Sequence, residues 1–296
     1  MSIPEIDASA TGCLPSALDA ALRSHGFFRV TNAAIAPSLV HRVFAASEAF
    51  FLAQHVDRER FAYGSAQENF GYQALGEERL DQNAPPDLKQ TFTMRNVLQK
   101  PPADSRWPTP EFASLMREFF AALFDQALWL QRLIAEALDV EQDFFTRCHG
   151  GENVTLRLLH YPPVESETIA EGQLGAGAHT DYGLLTLLVQ DAVGGLQVLG
   201  PDDKWLDVAP VAGTVIVNAG DLLERWTNGR YRSALHRVRP TAAQQRYRQS
   251  LVLFVDPDSA TEVSVLDSCT DAGNPARFPT VSAGEHLQQR INASHQ

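Results

Sequence analysis

Residues 175–191 read GAGAHTDYGLLTLLVQD, a glycine-rich bend that passes through a His-Thr-Asp triplet into an apolar run. On an extended backbone, residues two apart project to the same face. His179 and Asp181 are therefore expected to point together, with Thr180 pointing away, as half of a chelating site. The same spacing recurs at His55-Val56-Asp57, directly after FFLAQ. If the helix continues there, residues two apart diverge, so this second copy reads as a solvated helix end.

Working outward from 175–191, the flanking sequence is a series of short β-type runs: VTLRLLHY (154–161), LLTLLVQ (184–190), LQVL (196–199), TVIVN (214–218), ALHRV (234–238) and SLVLFV (250–255). Gly, Pro, Asp and Asn separate them, the pattern of a sandwich or barrel. No long helical pattern interleaves with these runs, which disfavours a parallel βαβ sheet. Upstream of Gly150 the texture is helical. Leu14, Leu18, Ala21, Leu22 and His25 recur at helical spacing before Gly26, and Phe27–Val30 follows as a short strand. Residues 37–54 and 111–138 carry broad apolar faces, the second through Phe112, Leu115, Met116, Phe119, Leu123, Leu130 and Ile134. QKPPADSRWPTP (99–110) reads as a proline-rich surface connection. The expected architecture is a mostly β core with the earlier helices packed around it.

Composition narrows the function. A formal net charge of −12 argues against a nucleic-acid partner, which needs clustered Lys and Arg. An anionic small molecule would then need a dedicated arginine. Three widely spaced cysteines (Cys13, Cys148, Cys269) suit neither a disulfide framework nor a zinc cluster. The N-terminus MSIPEIDASA lacks a basic stretch followed by an apolar one, and no run is long enough for a membrane helix. A cytoplasmic protein with no membrane contact and no protein partner is expected.

A chelate needs a third ligand, and His236 in SALHRVRP lies on another expected strand. Two imidazoles and a carboxylate on one side of an ion leave the opposite positions open, which suits Fe(II); zinc bound by the same set is the chemical competitor. In RYRQSLVLFV, Arg248, Ser250, Val252 and Phe254 alternate onto one face. An arginine with a hydroxyl two residues on makes a fork for a carboxylate. Tyr161, at the end of LRLLHY, offers a phenol to the same acid.

In this order the motifs HTD (179–181), GGLQV (194–198), VNAGD (217–221), WTNGRYRSALHRV (226–238) and R-x-S (248–250) resemble the Fe(II)/2-oxoglutarate-dependent dioxygenases, in the branch that contains isopenicillin N synthase. IPEID (3–7), HGFFRV (25–30), FF (50–51), GY (71–72), DLKQTF (87–92) and LRLLHYPP (156–163) extend the resemblance nearly end to end. It implies a double-stranded β-helix (jelly-roll) core within a single catalytic domain, 1–296. That domain would comprise a helix-rich region (about 1–150), the core (about 151–256) and a C-terminal cover (257–296). It further implies His179, Asp181 and His236 as metal ligands for Fe(II), with Arg248 and Ser250 anchoring the distal carboxylate of 2-oxoglutarate. Tyr161 matches a tyrosine that often helps hold the co-substrate, and Asn218 falls in a stretch near the metal. Asp181 supplies a carboxylate where the related halogenases have none. The chain departs from the family at VTNAAI (30–35), where V-x-N-H-G is common, and at Leu159-His160, where Asn-Tyr is frequent.

The implied reaction takes O2 and 2-oxoglutarate, releases succinate and CO2, and oxidises a C–H bond of a small organic metabolite, hydroxylation being the default. Two other readings stay open on sequence: an Fe(II) oxidase that needs no 2-oxoglutarate, as isopenicillin N synthase does, and a small-molecule-binding jelly-roll without catalysis. Residues 64–98, including Phe70, Tyr72 and Arg95, and the segment beyond Asp256 are expected to line or cover the pocket, with Phe254 on its wall.

Overall fold

The computed structural model describes residues 2–54, 57–81, 83–163, 169–240 and 246–294; His55 and Val56 of the second His-x-Asp copy lie outside them. The chain opens with β1 (Glu5–Asp7) and α1 (Leu14–Ser24). Pro15 stands in the first turn of α1, where its missing N–H costs nothing. Gly26 ends the helix at φ +66, and a Cβ there would lie 2.1 Å from the Arg232 carbonyl oxygen, so only glycine fits. β2 (Phe27–Thr31), α2 (Pro37–Leu52), β3 (Phe70–Gln73) and β4 (Gln90–Arg95) follow. The longest helix, α3 (Pro110–Ala137), is capped by Thr109, whose hydroxyl accepts from the Phe112 N–H at 3.1 Å. Its stripe of Phe112, Met116, Phe119, Leu123, Leu130 and Ile134 is buried, as the periodicity implies.

From residue 153 the strands are β5 (Asn153–Tyr161), β6 (Ala176–His179), β7 (Leu185–Gln190), β8 (Leu196–Leu199), β9 (Trp205–Asp207) and β10 (Val215–Ala219). After α4 (Asp221–Trp226) come β11 (His236–Val238), β12 (Arg248–Asp256), the small pair β13 (Glu262–Val263) and β14 (Val281–Ser282), and α5 (Ala283–Ser294). An eight-stranded sheet runs in the order β1-β2-β10-β7-β12-β5-β4-β3, and a four-stranded sheet in the order β6-β11-β8-β9. Strands β5, β7, β10 and β12 sit in the large sheet while β6, β8, β9 and β11 sit in the small one, so the chain winds back and forth between two layers as a jelly-roll does.

Alternation along each central strand divides its labour. On β12, Leu251, Leu253 and Val255 join the apolar cluster that contains the helix residues, while Val252 joins a second cluster with Leu159, Tyr161, Leu196, Val198 and Val238 between the sheets. β5 does the same, with Val154, Leu156 and Leu158 toward the helices and Thr155, Arg157, Leu159 and Tyr161 toward the interior cavity. β12 is central in its sheet, flanked by β7 and β5. The helix-rich region is less purely helical than its periodicity implies, because β1 to β4 extend the large sheet at both edges. The cover beyond residue 256 contains a twelve-residue helix, α5, which its polar composition conceals.

Candidate active site

The pairing of β6 with β11 places His179 directly opposite His236, with ring centroids 4.3 Å apart. Asp181 follows two residues later. Its Oδ1 lies 3.8 Å from His179 Nε2 and 3.7 Å from His236 Nε2, and one ligand atom from each residue falls within 4.8 Å of the others. These separations are too long for direct hydrogen bonds and suit donors arranged around a common centre.

Backbone and side-chain contacts aim the three groups. His179 Nδ1 faces the Gly177 carbonyl at 2.7 Å, and His236 Nδ1 faces the Ala234 carbonyl at 3.2 Å. A carbonyl only accepts, so both Nδ1 atoms carry the proton, which leaves both Nε2 atoms to present lone pairs inward. Burial, reinforced by His236, holds the His179 pKa down to about 3, so its imidazole is neutral near pH 7. Asp181 Oδ2 accepts from Thr186 Oγ1 at 2.6 Å and Asn218 Nδ2 at 2.7 Å, which leaves Oδ1 toward the histidines. Two imidazoles with one carboxylate on one side fit a ferrous ion with open positions opposite.

Arg248 is fully buried. Its Nε donates to the Gly194 carbonyl at 2.6 Å, Nη1 to Ser250 Oγ at 3.3 Å and Nη2 to Gln190 Oε1 at 3.4 Å, and its guanidinium lies 4.7 Å from the Tyr161 ring centroid. Gly194 and Gly195 both adopt positive φ (+86 and +92), the backbone that turns the Gly194 carbonyl onto Arg248. Arg248 and Tyr161 are register partners across β12 and β5, so two residues far apart in sequence meet by pairing alone.

The triad, Ser250 and Tyr161 border one cavity of about 210 Å³ between the sheets. Apolar walls come from Phe27, Leu188, Ile216, Val252 and Phe254, as expected for Phe254; polar walls come from Asn69, Lys89, Thr155 and Arg157. Phe70 and Tyr72, expected at the pocket, point the other way into the helix-side core. Arg95 instead braces the Glu152 carbonyl, the Gln67 carbonyl and the Asn153 side chain. α5 closes one side: Ile291 lines the cavity, and Arg290 donates to Thr180 Oγ1 at 2.9 Å and pairs with Asp221 at 3.2 Å. His160 points away from Tyr161 and stacks between Phe51 and Tyr247, a structural placement.

Several residues of the site carry little or no motif signal. Asp256, the last residue of β12, lines the cavity, and burial together with the Asp181 charge pushes its carboxyl up to about 8. Asn218, whose stretch the resemblance puts near the metal, holds the Asp181 carboxylate directly. Thr186 has a visible signal, a lone hydroxyl within an apolar strand.

A jelly-roll whose cavity is lined by two clustered histidines and an aspartate, with a buried arginine donating to the Ser250 hydroxyl on the same cavity's wall, defines a class of non-haem iron enzymes. Residues 152–257 match the 2OG-Fe(II) oxygenase superfamily, and residues 3–113 match the non-haem dioxygenase in morphine synthesis N-terminal family. The chain belongs to the 2OG-Fe(II) oxygenase superfamily. It is 34% identical over 287 residues to a 2-oxoglutarate-Fe(II) type oxidoreductase of Aspergillus fumigatus, covering 92% of this chain and 84% of that one. It is 33% identical to homoarginine-6-hydroxylase 2-ODD-C23 of Glycine max, covering 93% and 87%. Among solved structures, a full-length Neurospora crassa protein in complex with alpha-KG superposes with a TM-score of 0.88 at 31% identity, covering 98% of this chain and 96% of the other. A second structure of that Neurospora protein, with alpha-KG and thymine, has a TM-score of 0.87. The enzyme is an Fe(II)- and 2-oxoglutarate-dependent dioxygenase; these relatives favour the 2-oxoglutarate-dependent reading over an oxidase that dispenses with the co-substrate, and over a binding protein without catalysis. Among the described residues, no helix is long and apolar enough to cross a membrane.

Proposed function

We propose that this dioxygenase hydroxylates a C–H bond of a small, partly apolar metabolite, with His179, Asp181 and His236 as iron ligands and Arg248 with Ser250 as the seat of the distal carboxylate of 2-oxoglutarate. The observation that carries the reading is the cavity bordered by both the His-Asp-His cluster and Ser250, whose Oγ accepts from the buried Arg248 behind it at 3.3 Å. When bound, ferrous iron supplies the activation of O2 that couples loss of CO2 from 2-oxoglutarate, leaving succinate, to oxidation of the substrate. The protein's residues hold and orient. The carbonyls of Gly177 and Ala234 keep both imidazoles in the tautomer that binds through Nε2. Thr186 and Asn218 fix the Asp181 carboxylate. Arg248 supplies a fixed positive charge where an anion must be desolvated, and Tyr161 flanks it with its ring. Leu188, Ile216 and Val252 give the cavity an apolar wall.

The small-molecule assignment draws on the size of the cavity, about 210 Å³, and on thymine in a neighbour's structure. The whole chain is read as one catalytic domain, with residues 257–296 as its cover, and three free thiols suit a cytoplasmic setting. The test is succinate release across a panel of small metabolites, by wild type and by His179→Ala and His236→Ala. Turnover that depends on an added metabolite and is abolished in both variants is expected. Full activity in either variant contradicts the ligand assignment.

A further inference from the structure

The strand that carries His179 is an edge. Among the described residues β6 pairs only with β11 in its sheet, and Asp81, Pro86, Asp87 and Leu88 cover its other side. The Leu88 N–H donates to the Leu174 carbonyl at 3.0 Å, Gln173 Nε2 donates to the Pro86 carbonyl at 3.0 Å, and the Gly177 N–H donates to Asp87 Oδ1 at 2.9 Å. A Cβ on Gly177 would lie 2.9 Å from the Asp81 nitrogen and 3.0 Å from Asp81 Cβ, so the covering residues rest on bare backbone there. The register between β6 and β11 also shifts between His236 and Val238, next to Gly177. A displaced edge of this kind needs support from outside the sheet.

Gly177 is also the residue that orients the metal-site imidazole, because its carbonyl faces His179 Nδ1 at 2.7 Å. Asp87 thus grips the amide of the residue whose carbonyl sets the ring. Asp87 is itself pinned: it is 2% exposed, and its Oδ2 accepts from Lys89 Nζ at 2.5 Å. Lys89 Nζ lies 3.3 Å from Glu78 Oε2, and Glu78 Oε1 accepts from Arg157, which also donates to Thr91 at 3.0 Å and Thr93 at 3.1 Å. Burial works against the charge on Lys89, but Glu78 and Asp87 outweigh it and raise its pKa. Burial likewise opposes the Glu78 charge, and Arg157 and Lys89 overcome it to hold Glu78 at about 2. The result is a chain of two cations and two anions, buried at Asp87 and Lys89 and half-buried at Glu78 and Arg157, three members of which (Glu78, Lys89 and Arg157) line the cavity.

We propose that Asp87 is a positioning residue for His179, held in place by Lys89, so that an ion chain on the cavity wall sets the geometry of the first metal ligand. The proposal rests on the reading of His179 as an iron ligand. A charged acceptor makes a shorter and stronger bond to the Gly177 amide than a neutral one. Groups that orient a ligating histidine typically change metal affinity about 10–100-fold when removed.

The test is metal binding without turnover: anaerobic Fe(II) affinity, and the visible spectrum of the Co(II)-loaded protein. The variants are Asp87→Ala, Asp87→Asn and Lys89→Met. Gln173→Ala is the control, because it removes a bond from the same covering segment without touching Gly177. Asp87→Ala is expected to bind Fe(II) about 10–100-fold more weakly, with an altered Co(II) spectrum. Asp87→Asn keeps an amide oxygen for the Gly177 N–H and is expected to lose less; Gln173→Ala is expected to bind as wild type does. Wild-type affinity and spectrum in Asp87→Ala overturn the proposal, and so does an equal loss in Gln173→Ala, which would mean general loosening of the edge. Should Asp87→Ala fail to fold, Asp87→Asn and Lys89→Met carry the test, and wild-type metal affinity in both overturns it. His179→Ala is run alongside. Retained metal binding there breaks the ligand assignment itself, whereas loss there with no loss in the Asp87 variants refutes only the role of Asp87.

Discussion

The two faces of β12 and β5 put structure and chemistry on the same nine-residue strands. Toward the helices, Leu251, Leu253 and Val255 lie beside Leu156 and Leu158 in the main apolar cluster. Toward the small sheet, Arg248 and Ser250 stand across from Tyr161 and Leu159, with Asp256 at the far end. Strict alternation lets the helix-side face fix the register while the other face carries buried charge. A single-residue slip would exchange the two sets, so the packing of one face specifies the site on the other. The buried arginine is tolerable because three acceptors and an aromatic ring replace its lost water.

Substitutions on each face separate the two roles. The largest expected effect on folding is on the helix side. Leu253→Ala, at a fully buried position, should lower stability by about 2–5 kcal/mol, read by urea unfolding, while the KM for 2-oxoglutarate stays near wild type. A shift in that KM as large as the one from Arg248→Ala would show that the faces are not separate. Next comes Asn218→Ala, which removes one of the two bonds to Asp181 Oδ2. About 10-fold weaker Fe(II) binding is expected with little change in unfolding midpoint; unchanged metal affinity would make Asn218 a plain strand residue.

The smallest effect concerns Asp256 in the metal-free protein. Its carboxyl titrates at about 8 when folded, raised by burial and by Asp181 from an ordinary value of 3.8. Between those values the native state keeps a proton that the unfolded chain releases. The stability this group contributes is therefore present below about pH 4 and is lost as pH rises through about 8. Asp256→Asn should flatten the fall in stability across that window, measured by urea unfolding at several pH values; an unchanged slope would contradict the assigned protonation.

Much of the core is legible in the sequence because alternation and turn residues coincide along β5, β7, β8, β10 and β12. The His-x-Asp pair is legible because its glycine-rich approach implies extended backbone, whereas the copy at 55–57 follows the helical pattern of FFLAQ in sequence. Phe70 and Tyr72 are misplaced by the sequence for a definite reason. Their parity depends on pairing with β4 (Phe70 opposite Met94, Tyr72 opposite Phe92), and nothing local says which face a short strand turns inward. Asp87 stands in the sequence only as the first residue of DLKQTF. Its contact with Gly177, 90 residues away, exists only once both segments are folded. Asp256 is invisible for a different reason, since its perturbation comes from burial and from a carboxylate placed near it by the fold.

Iron at the His-Asp-His cluster and 2-oxoglutarate reaching from that iron toward Arg248 together define the proposed site. The most direct measurement is an anaerobic titration of Fe(II)-loaded protein with 2-oxoglutarate, following the weak visible charge-transfer absorption of the chelate, with Arg248→Ala alongside. The expected result is a saturable band in wild type that needs on the order of 10–100-fold more ligand in Arg248→Ala, the loss of charged hydrogen bonds to one carboxylate. A wild-type titration curve in Arg248→Ala, or no band with iron demonstrably bound, would contradict it.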